Sequence, residues 1–414
     1  MAHEGTSKLF RNGTHRIVAP AETLARARKL FGPLGITRVA NVTGLDCIGI
    51  PVVMVCRPNA RSLAVSQGKG VDLDAAKASG VMESIELYHA ERVTRPLKLA
   101  TWNELRFSHD LVAVEKLPLI SVSAFHPDRP LLWIEGMDLL GSRPRWLPYE
   151  LVHTNYTLPF PSGTGCFVMS SNGLASGNHP LEAVSHALCE VIERDASALF
   201  RFHPALHQAE SRIDLTTVDH SDCRTILDRF AAADVATGVW DMTSDVGVPA
   251  FRCVIVDETP NPFRPLGPVE GMGCHPTREV ALLRALTEAA QARLTLIAGS
   301  RDDNGRDRYG RTQETELSDR ARVRLKETGT RRFTDVPTHA GDTFEDDLAW
   351  ILARLSSVGI EEAVAVDLTK SELGIPVVRV VVPGLETYHH VQGYVPGPRA
   401  RRIADHNLKE RAQR

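Results

Sequence analysis

Two patterns each recur three times along this chain, and any fold must accommodate both. The first is a strand device. "LDCIGIPVVMV" (45–55), "SDVGVPAFRCV" (244–254) and "SELGIPVVRVV" (371–381) each run from a polar turn through Gly, a β-branched residue and Pro into a β-rich stretch. Each follows another β-prone segment, "RVANV", "ATGVW" and "AVAVD". This reads as three β-hairpins, with Pro near the start of the second strand, where a missing N–H is tolerated.

The second pattern is a glycine-containing loop that leads into a long helix rich in Ala, Leu and Val. Its copies are "SQGKGVDLDAAKASGVMESIELYHAER" from Ser66, "SGNHPLEAVSHALCEVIERDA" from Ser176 and "GMGCHPTREVALLRALTEAAQARL" from Gly271. About twelve residues past each loop stands an acid, and three positions later a second polar group: Glu83 and Glu86, Glu190 and Glu193, Glu288 and Gln291. Residues at i and i+3 share a helix face. In the second copy Glu182 joins that face, because at 100° per residue Glu190 lies about 80° and Glu193 about 20° round from it. Their flanks, Ala187, Leu188, Cys189, Val191 and Ile192, read as core.

A single E-x-x-E is ordinarily a solvated helix surface, and Glu190 with Arg194 has the spacing of a simple helical ion pair. Three copies embedded in apolar helices point instead to a shared site. Like charges so close repel, and burying them unpaired is costly. A cation is expected among them.

Composition excludes several classes. The net charge of -3 and pI near 6.6 argue against a general nucleic-acid binder. No run of 18 apolar residues suggests a membrane span, and "MAHEGTSKLFRNGTHRIV" has no signal-peptide apolar region. Seven cysteines without a C-x-x-C pair fit free thiols in a reducing cytoplasm, and no zinc-ligand spacing is present.

Clustered carboxylates suit Mg²⁺, which keeps waters and shares phosphate oxygens with them. The loops "SQGKG" and "SGN" end at helix N-termini, where free N–H groups favour anions, and Lys69 could add a positive charge. "SQGKG" lacks the frame of a Walker A loop, and a G-K-G run alone is common turn material. The combination suggests a nucleoside triphosphate held through metals.

These three motifs, in this order, closely resemble the YcaO family of ATP-dependent peptide-modifying enzymes, over roughly residues 60–390. The upstream "THRIVAPAETLARARKLFGPLGITRVA" and the later "IAGSRDD" resemble the branch that works with TfuA-type partners in peptide thioamidation. The resemblance implies ATP and Mg²⁺ as cofactors. It makes Glu83, Glu86, Glu182, Glu190, Glu193 and Glu288 metal-associated acids. Asn178, Arg16, Thr23, Ser66, Lys69, Arg194 and Gln291 become nucleotide contacts, with Glu83, Glu190 and Arg194 catalytic. Arg293 matches a polar position that could only brace the site. Arg16 as a surface residue, Thr23 as a helix start, and Ser66 and Lys69 as a structural turn are the bland alternatives.

In this family ATP activates a peptide amide by phosphorylating its oxygen. The implied partners are a peptide or protein substrate, a TfuA-like protein and a sulfur donor, either sulfide or a carrier. A homodimer is the candidate assembly, and neither membrane nor nucleic acid is expected as a partner. Azoline formation is the alternative outcome, and a non-catalytic ATP-binding accessory role is a third. Azoline-forming relatives end in P-x-P-x-P, whereas this chain ends in "YVPGPRARRIADHNLKERAQR", which weighs against that chemistry. Cys166, Cys189 and Cys274 are candidate sulfur relays, although buried Cys usually packs. His179 and His275, each just before Pro, could touch phosphate or simply pack a loop.

Hairpins alternating with long helices give an α+β expectation, with antiparallel strands covered by helices. One catalytic domain (61–390) is expected, with an N-terminal segment (1–60) packed on it and a C-terminal tail (391–414). The polar stretch 299–333 reads as a surface loop plus an amphipathic helix.

Overall fold

The computed structural model describes residues 5–260, 265–301, 303, 310, 315–387, 389 and 393–413. The first elements are α1 (Pro20–Arg28), α2 (Phe31–Leu34), β1 (Arg38–Asn41), β2 (Val52–Cys56), β3 (Val65–Lys69), α3 (Leu73–Glu91), β4 (Leu97–Ala100) and α4 (Trp102–Leu105). Then come β5 (Leu131–Asp138), β6 (Arg143–Pro148), β7 (Leu174–Ser176), α5 (Pro180–Phe202), α6 (Ala205–Glu210), β8 (Ile213–Asp214), α7 (Ser221–Ala232), β9 (Val235–Asp241), β10 (Ala250–Asp257), β11 (Val269–Cys274) and α8 (Arg278–Ala298). The rest are α9 (Thr315–Lys326), β12 (Arg331–Arg332), α10 (Phe344–Ser357), β13 (Val364–Asp367), β14 (Val377–Val381) and α11 (Pro398–Gln413).

All three expected hairpins form, as β1–β2, β9–β10 and β13–β14, each antiparallel. Gly49, Gly247 and Gly374 take φ of +73°, +75° and +65° just before the proline. That region is closed to most L-residues, which accounts for the recurrent Gly.

The glycine-containing segments expected as loops are instead strands. β3, β11 and β7 each add a third antiparallel strand to a hairpin. Their glycines let a helix lie directly on the strand. A Cβ on Gly68 would stand 2.0 Å from the Ala76 carbonyl oxygen and 2.2 Å from the Gly80 nitrogen. One on Gly273 would stand 2.2 Å from the Ala281 oxygen and 2.6 Å from the Ala285 nitrogen. The small residues of the helices are the matching half of that contact.

The three units share one backbone hydrogen bond and one spacing. The carbonyls of Pro51, Pro249 and Pro376 accept from the N–H of Gly70, His275 and Gly177 at 3.3, 3.2 and 3.1 Å. Thirteen residues beyond those donors stand Glu83, Glu288 and Glu190, and three further stand Glu86, Gln291 and Glu193. The third unit is split in the chain: β7 and α5 precede β13 and β14 by well over a hundred residues.

The sheets run β1-β2-β3, β11-β10-β9 and β4-β5-β13-β14-β7, with β6 on β5 and a small parallel pair β12-β8. β14 is buried throughout. Val377 and Val381 join the core with Val81 and Ile85 of α3, while Val378 and Val380 join the one with Leu188 and Ile192 of α5. Residue 60 falls between β2 and β3 of one sheet, so the N-terminal segment supplies two of that sheet's three strands. Within 299–333, α9 is the helix; residues 302, 304–309 and 311–314 lie outside the described residues. The tail forms α11, tied to α5 by Arg399 on Asp195 and by Asn407 Nδ2 donating to the Phe202 carbonyl at 2.6 Å. Among the described residues no helix is long and apolar enough to cross a membrane.

Candidate active site

Among the described strands, β3, β7 and β11 are edges, and an outward N–H of each is met by a helix carboxylate. Glu83 accepts from Gln67 N at 3.1 Å, and Glu288 from Met272 N at 3.3 Å. Glu86 crosses to the third unit, accepting from Ser176 N at 2.8 Å and Ser176 Oγ at 2.7 Å. An unpaired edge N–H needs an acceptor, so these acids hold strand and helix together and are oriented in return.

Glu182 sits apart. It shares a helix face with Glu190 but lies roughly 12 Å from it along α5, at 1.5 Å per residue. It accepts from Ile17 N at 3.0 Å and from Asn178 N and Nδ2 at 3.3 and 3.1 Å, with Arg16 Nε at 3.5 Å. Thr23 Oγ1 donates to Asn178 Oδ1 at 3.1 Å. The acids therefore do not converge on one point, as the sequence suggested. They spread along α3, α5 and α8, with Arg16, Thr23, Asn178 and Glu182 grouped at the start of α5.

The cations expected among the acids come partly from the chain. Lys69 Nζ lies 2.7 Å from Glu288, and Arg194 Nη2 lies 3.6 Å from Glu193 rather than forming only a pair with Glu190. The sequence reading missed Arg284 and Arg379. Arg284, one turn before Glu288 on α8, meets His186 Nε2 at 3.1 Å, and its charge acts on Glu190, Glu193 and Glu288. Arg379, buried on β14, donates to the Ser170 carbonyl at 2.8 Å and also acts on Glu190. Arg284 was findable from its i−4 spacing to Glu288; Arg379 carried no such signal.

Strand alternation separates two residues expected to act together. Lys69 faces α8, as does Gln67, which accepts from Thr295 Oγ1 at 2.6 Å. Ser66 has the parity of Gly68 and so faces α3. Gln291 stands one turn past Glu288, half-buried. Arg293 leaves the site: it is buried and pairs with Asp46 and Asp257, both at 2.8 Å, bracing α8 against the first hairpin and β10.

His179 caps α5, and His275 holds the turn that leads into α8. Nδ1 of His179 accepts from Leu181 N at 3.3 Å, and Nδ1 of His275 accepts from Thr277 N at 3.0 Å. Burial holds His275 well below its ordinary pKa, hence neutral. Burial pushes the Cys166 thiol up, and that of Cys274, beside Cys189, well up. These two are thiols at neutral pH, poorly suited to sulfur relay.

Withdrawal from water pushes Glu86 up to about 8 and Glu190 to about 7. It also raises Glu83 and Glu193. Glu288 is pushed the same way by burial, but Lys69 and Arg194 outweigh that and hold it below the usual range. The chain's own cations thus leave most of these carboxylates under-compensated, and their all-oxygen chemistry fits a hard divalent ion. Among the described residues, no three glutamates bring oxygens within 4.8 Å of one another. The set suits ions that share water and phosphate ligands rather than an all-protein cage. The cluster that is that tight, His15, His275 and Asp347, already holds a cation, the Lys8 ammonium 2.6 Å from Asp347.

The fold sets glutamates of three helices against edge strands, a donor chemistry that suits divalent ions. The family model for YcaO cyclodehydratase, ATP- and Mg²⁺-binding, matches residues 67–386, and the chain belongs to that family. ATP and Mg²⁺ are the ligands of that family. A protein of Rhizobium leguminosarum bv. trifolii, encoded in the tfuA 3′ region and uncharacterized, is 38% identical over 90% of this chain and 88% of its own length. An uncharacterized protein of Methanothermobacter thermautotrophicus is 35% identical over 90% of this chain and 95% of its own. The fold matches YcaO from Methanopyrus kandleri bound with AMPPCP and Mg²⁺, with a TM-score of 0.73, 24% identity, and 95% and 98% of the two chains covered. It also matches a heterocyclase in complex with substrate and cofactor, with a TM-score of 0.78 and 24% identity; there it covers 99% of this chain but 56% of the heterocyclase.

Proposed function

We propose that the chain uses ATP to phosphorylate the oxygen of a peptide backbone amide and, with a TfuA-like partner, exchanges that oxygen for sulfur. The observation that carries the reading is the group of helix glutamates, Glu83, Glu86, Glu190 and Glu193, whose pKa values burial raises with too little positive charge from the chain to offset it. The relative encoded beside tfuA supports the choice of product.

An amide is a poor electrophile because resonance ties its nitrogen lone pair to the carbonyl. Its oxygen forms a bond to the terminal phosphorus as ADP leaves. Sulfide then adds to the amide carbon, the C–O bond breaks, and phosphate departs with the original oxygen. Glu83, Glu86, Glu190, Glu193 and Glu288 would hold Mg²⁺, which would offset charge on the phosphoryl group. Arg194, Lys69 and Arg284 lie beside the same acids and balance anionic oxygens directly. Arg16, Thr23, Asn178 and Gln291 orient the nucleotide, with Glu182 holding Arg16 and Asn178 in position. Glu83, Glu190 and Arg194 act nearest the transferred group.

The test is high-resolution mass spectrometry of a candidate peptide incubated with ATP, Mg²⁺, sulfide and a TfuA-like protein, with Glu190→Gln alongside. A gain of about 16 Da, oxygen replaced by sulfur across the activated amide, that vanishes in the variant supports the proposal. A loss of about 18 Da, water expelled from that amide, would make the product an azoline, the chemistry for which the family is named. ATP bound without hydrolysis or any peptide change would favour an accessory role.

A further inference from the structure

A cavity of about 430 Å³ opens beyond the free edge of β11, between the sheet β9–β11, α9 and the C-terminal half of α8. Its place follows from the candidate active site. Glu288 reaches past the β11 edge to accept from Met272 N, and Ala292 and Leu296, one and two turns further along the same row of α8, line the cavity. At 1.5 Å per residue its wall begins roughly 6 Å from Glu288.

The chemistry of the lining is lopsided. Trp240 is buried, and three guanidiniums surround its indole: Arg324 at 5.0 Å, Arg212 at 5.3 Å and Arg252 at 5.7 Å from the ring centroid. Arg320 joins them on the lining. Glu270 is the lining carboxylate, and Arg252 takes it at 2.7 Å. The three guanidiniums concentrate positive charge around one ring. Arg212 is spent on the carbonyls of Arg324 and Leu325. Arg324 is exposed on the lining, and Arg320, paired with Glu316 one turn earlier on α9, lies beside it. Val254, Leu296 and Leu325 supply apolar walls, and the volume lies in the range of ligand pockets.

We propose that this cavity binds a carboxylate carried by the peptide substrate, either an acidic side chain or the C-terminal carboxylate, and so holds the peptide beside the site's glutamates. The proposal rests on the amide-activation reading only in taking the ligand to be a peptide. Guanidiniums pair with carboxylates through charge-assisted hydrogen bonds, and Arg324 lies over the Trp240 ring.

The test is binding without turnover, on the full chain with Mg²⁺ and AMPPCP. The indole N–H resonance of Trp240, identified by its loss in Trp240→Phe, is followed during titration with blocked alanine pentapeptides. One carries a central Asp, one a central Asn, and one a free C-terminus. The expected result is that the Asp peptide, the free-carboxylate peptide, or both shift the resonance, identifying which source is used, while the blocked Asn peptide does not. Arg320→Gln with Arg324→Gln should weaken that binding about tenfold or more, the scale of a lost charge-assisted bond, while AMPPCP affinity stays within about twofold. Equal binding of the Asp and Asn peptides, or no effect of the arginine substitutions, overturns the proposal. So does a parallel loss of AMPPCP affinity, which would assign the cavity to the nucleotide. An acidic peptide that binds here and is never modified leaves the cavity assignment standing and removes amide activation instead.

Discussion

Glu190 shows how one residue carries opposing demands. Its backbone belongs to a tightly packed helix, with Cys189, Val191 and Ile192 buried on either side. Its carboxyl is withdrawn from water and crowded by Glu193, with Arg194, Arg379 and Arg284 countering only in part. Removing that charge should relieve the metal-free fold and remove a metal ligand together. Glu190→Gln is expected to raise the melting temperature in EDTA by about 1 °C, the shift that about 1 kcal/mol makes in a chain of this length. It should also abolish most of the added stability from Mg²⁺ with AMPPCP. Thermal denaturation of both proteins with and without ligand checks both. The acids were legible in the sequence because i, i+3 spacing on apolar helices is a strong pattern. Arg379 was not, because a lone cation inside "GIPVVRVV" looks like an outward-facing strand residue, and only the fold turns it inward.

At the scale of elements, the contact that sets the site is strand on helix. β11 lies so close to α8 that a Cβ on Gly271 would stand 2.2 Å from the Ala289 nitrogen and 2.6 Å from the Glu288 carbonyl carbon. Gly271→Ala should therefore destabilise the protein by about 3 kcal/mol, the upper part of the usual overpacking range. It should also weaken Mg²⁺–AMPPCP binding, since Glu288 must shift. Gly32→Ala, where nothing lies within 4 Å, is the matched control and should be neutral or slightly stabilising. Urea denaturation and nucleotide titration of the two variants test this. The repeats and the hairpins could be read from β-branched runs and Gly–Pro turns. The third strands could not: "VSQGK" and "VEGMGC" lack apolar alternation, because their glycines serve helix packing rather than a phosphate loop.

Proton linkage belongs to the whole molecule, because the raised carboxylates come from two helices far apart in the chain, Glu83 and Glu86 on α3 and Glu190 and Glu193 on α5. Glutamate in the unfolded chain titrates near 4.3, whereas Glu86 and Glu190 titrate at about 8 and about 7 in the fold. Between those limits the folded state holds more protons than the unfolded one, so the metal-free protein loses stability as pH rises from about 4.5 to about 8. Ligand binding must release those protons. Mg²⁺–AMPPCP affinity should rise with pH between 6 and 8, with about one proton released at pH 7. Calorimetry in two buffers of different ionisation enthalpy measures the release, and denaturation at pH 5.5 and 8.5 gives the opposite trend for the free protein.

The longest-range tie joins the start of the chain to α10. Thr6 donates to Glu345, Lys8 N to the Asp342 carbonyl, and Arg11 to Asp342. Lys8 Nζ meets the Gly341 carbonyl at 2.8 Å and Asp347 at 2.6 Å, with both charged side chains fully enclosed. From there the chain turns through Phe10 and Arg16 to reach Glu182, so one strap links α10 to the start of α5. Lys8→Met would leave Asp347 buried without its cation, a loss of about 3–5 kcal/mol. Burial already pushes the Asp347 pKa up even with Lys8 present, and without Lys8 it rises further. Protonation then rescues part of the loss, so the destabilisation should be smaller at pH 5 than at pH 8. Lys8→Met with Asp347→Asn should recover most of the stability by removing the stranded charge. Urea denaturation of the single and double variants at the two pH values measures this. If Lys8→Met destabilised the protein equally at both, Asp347 would not be the group left unpaired, and the strap would be held by its backbone hydrogen bonds alone.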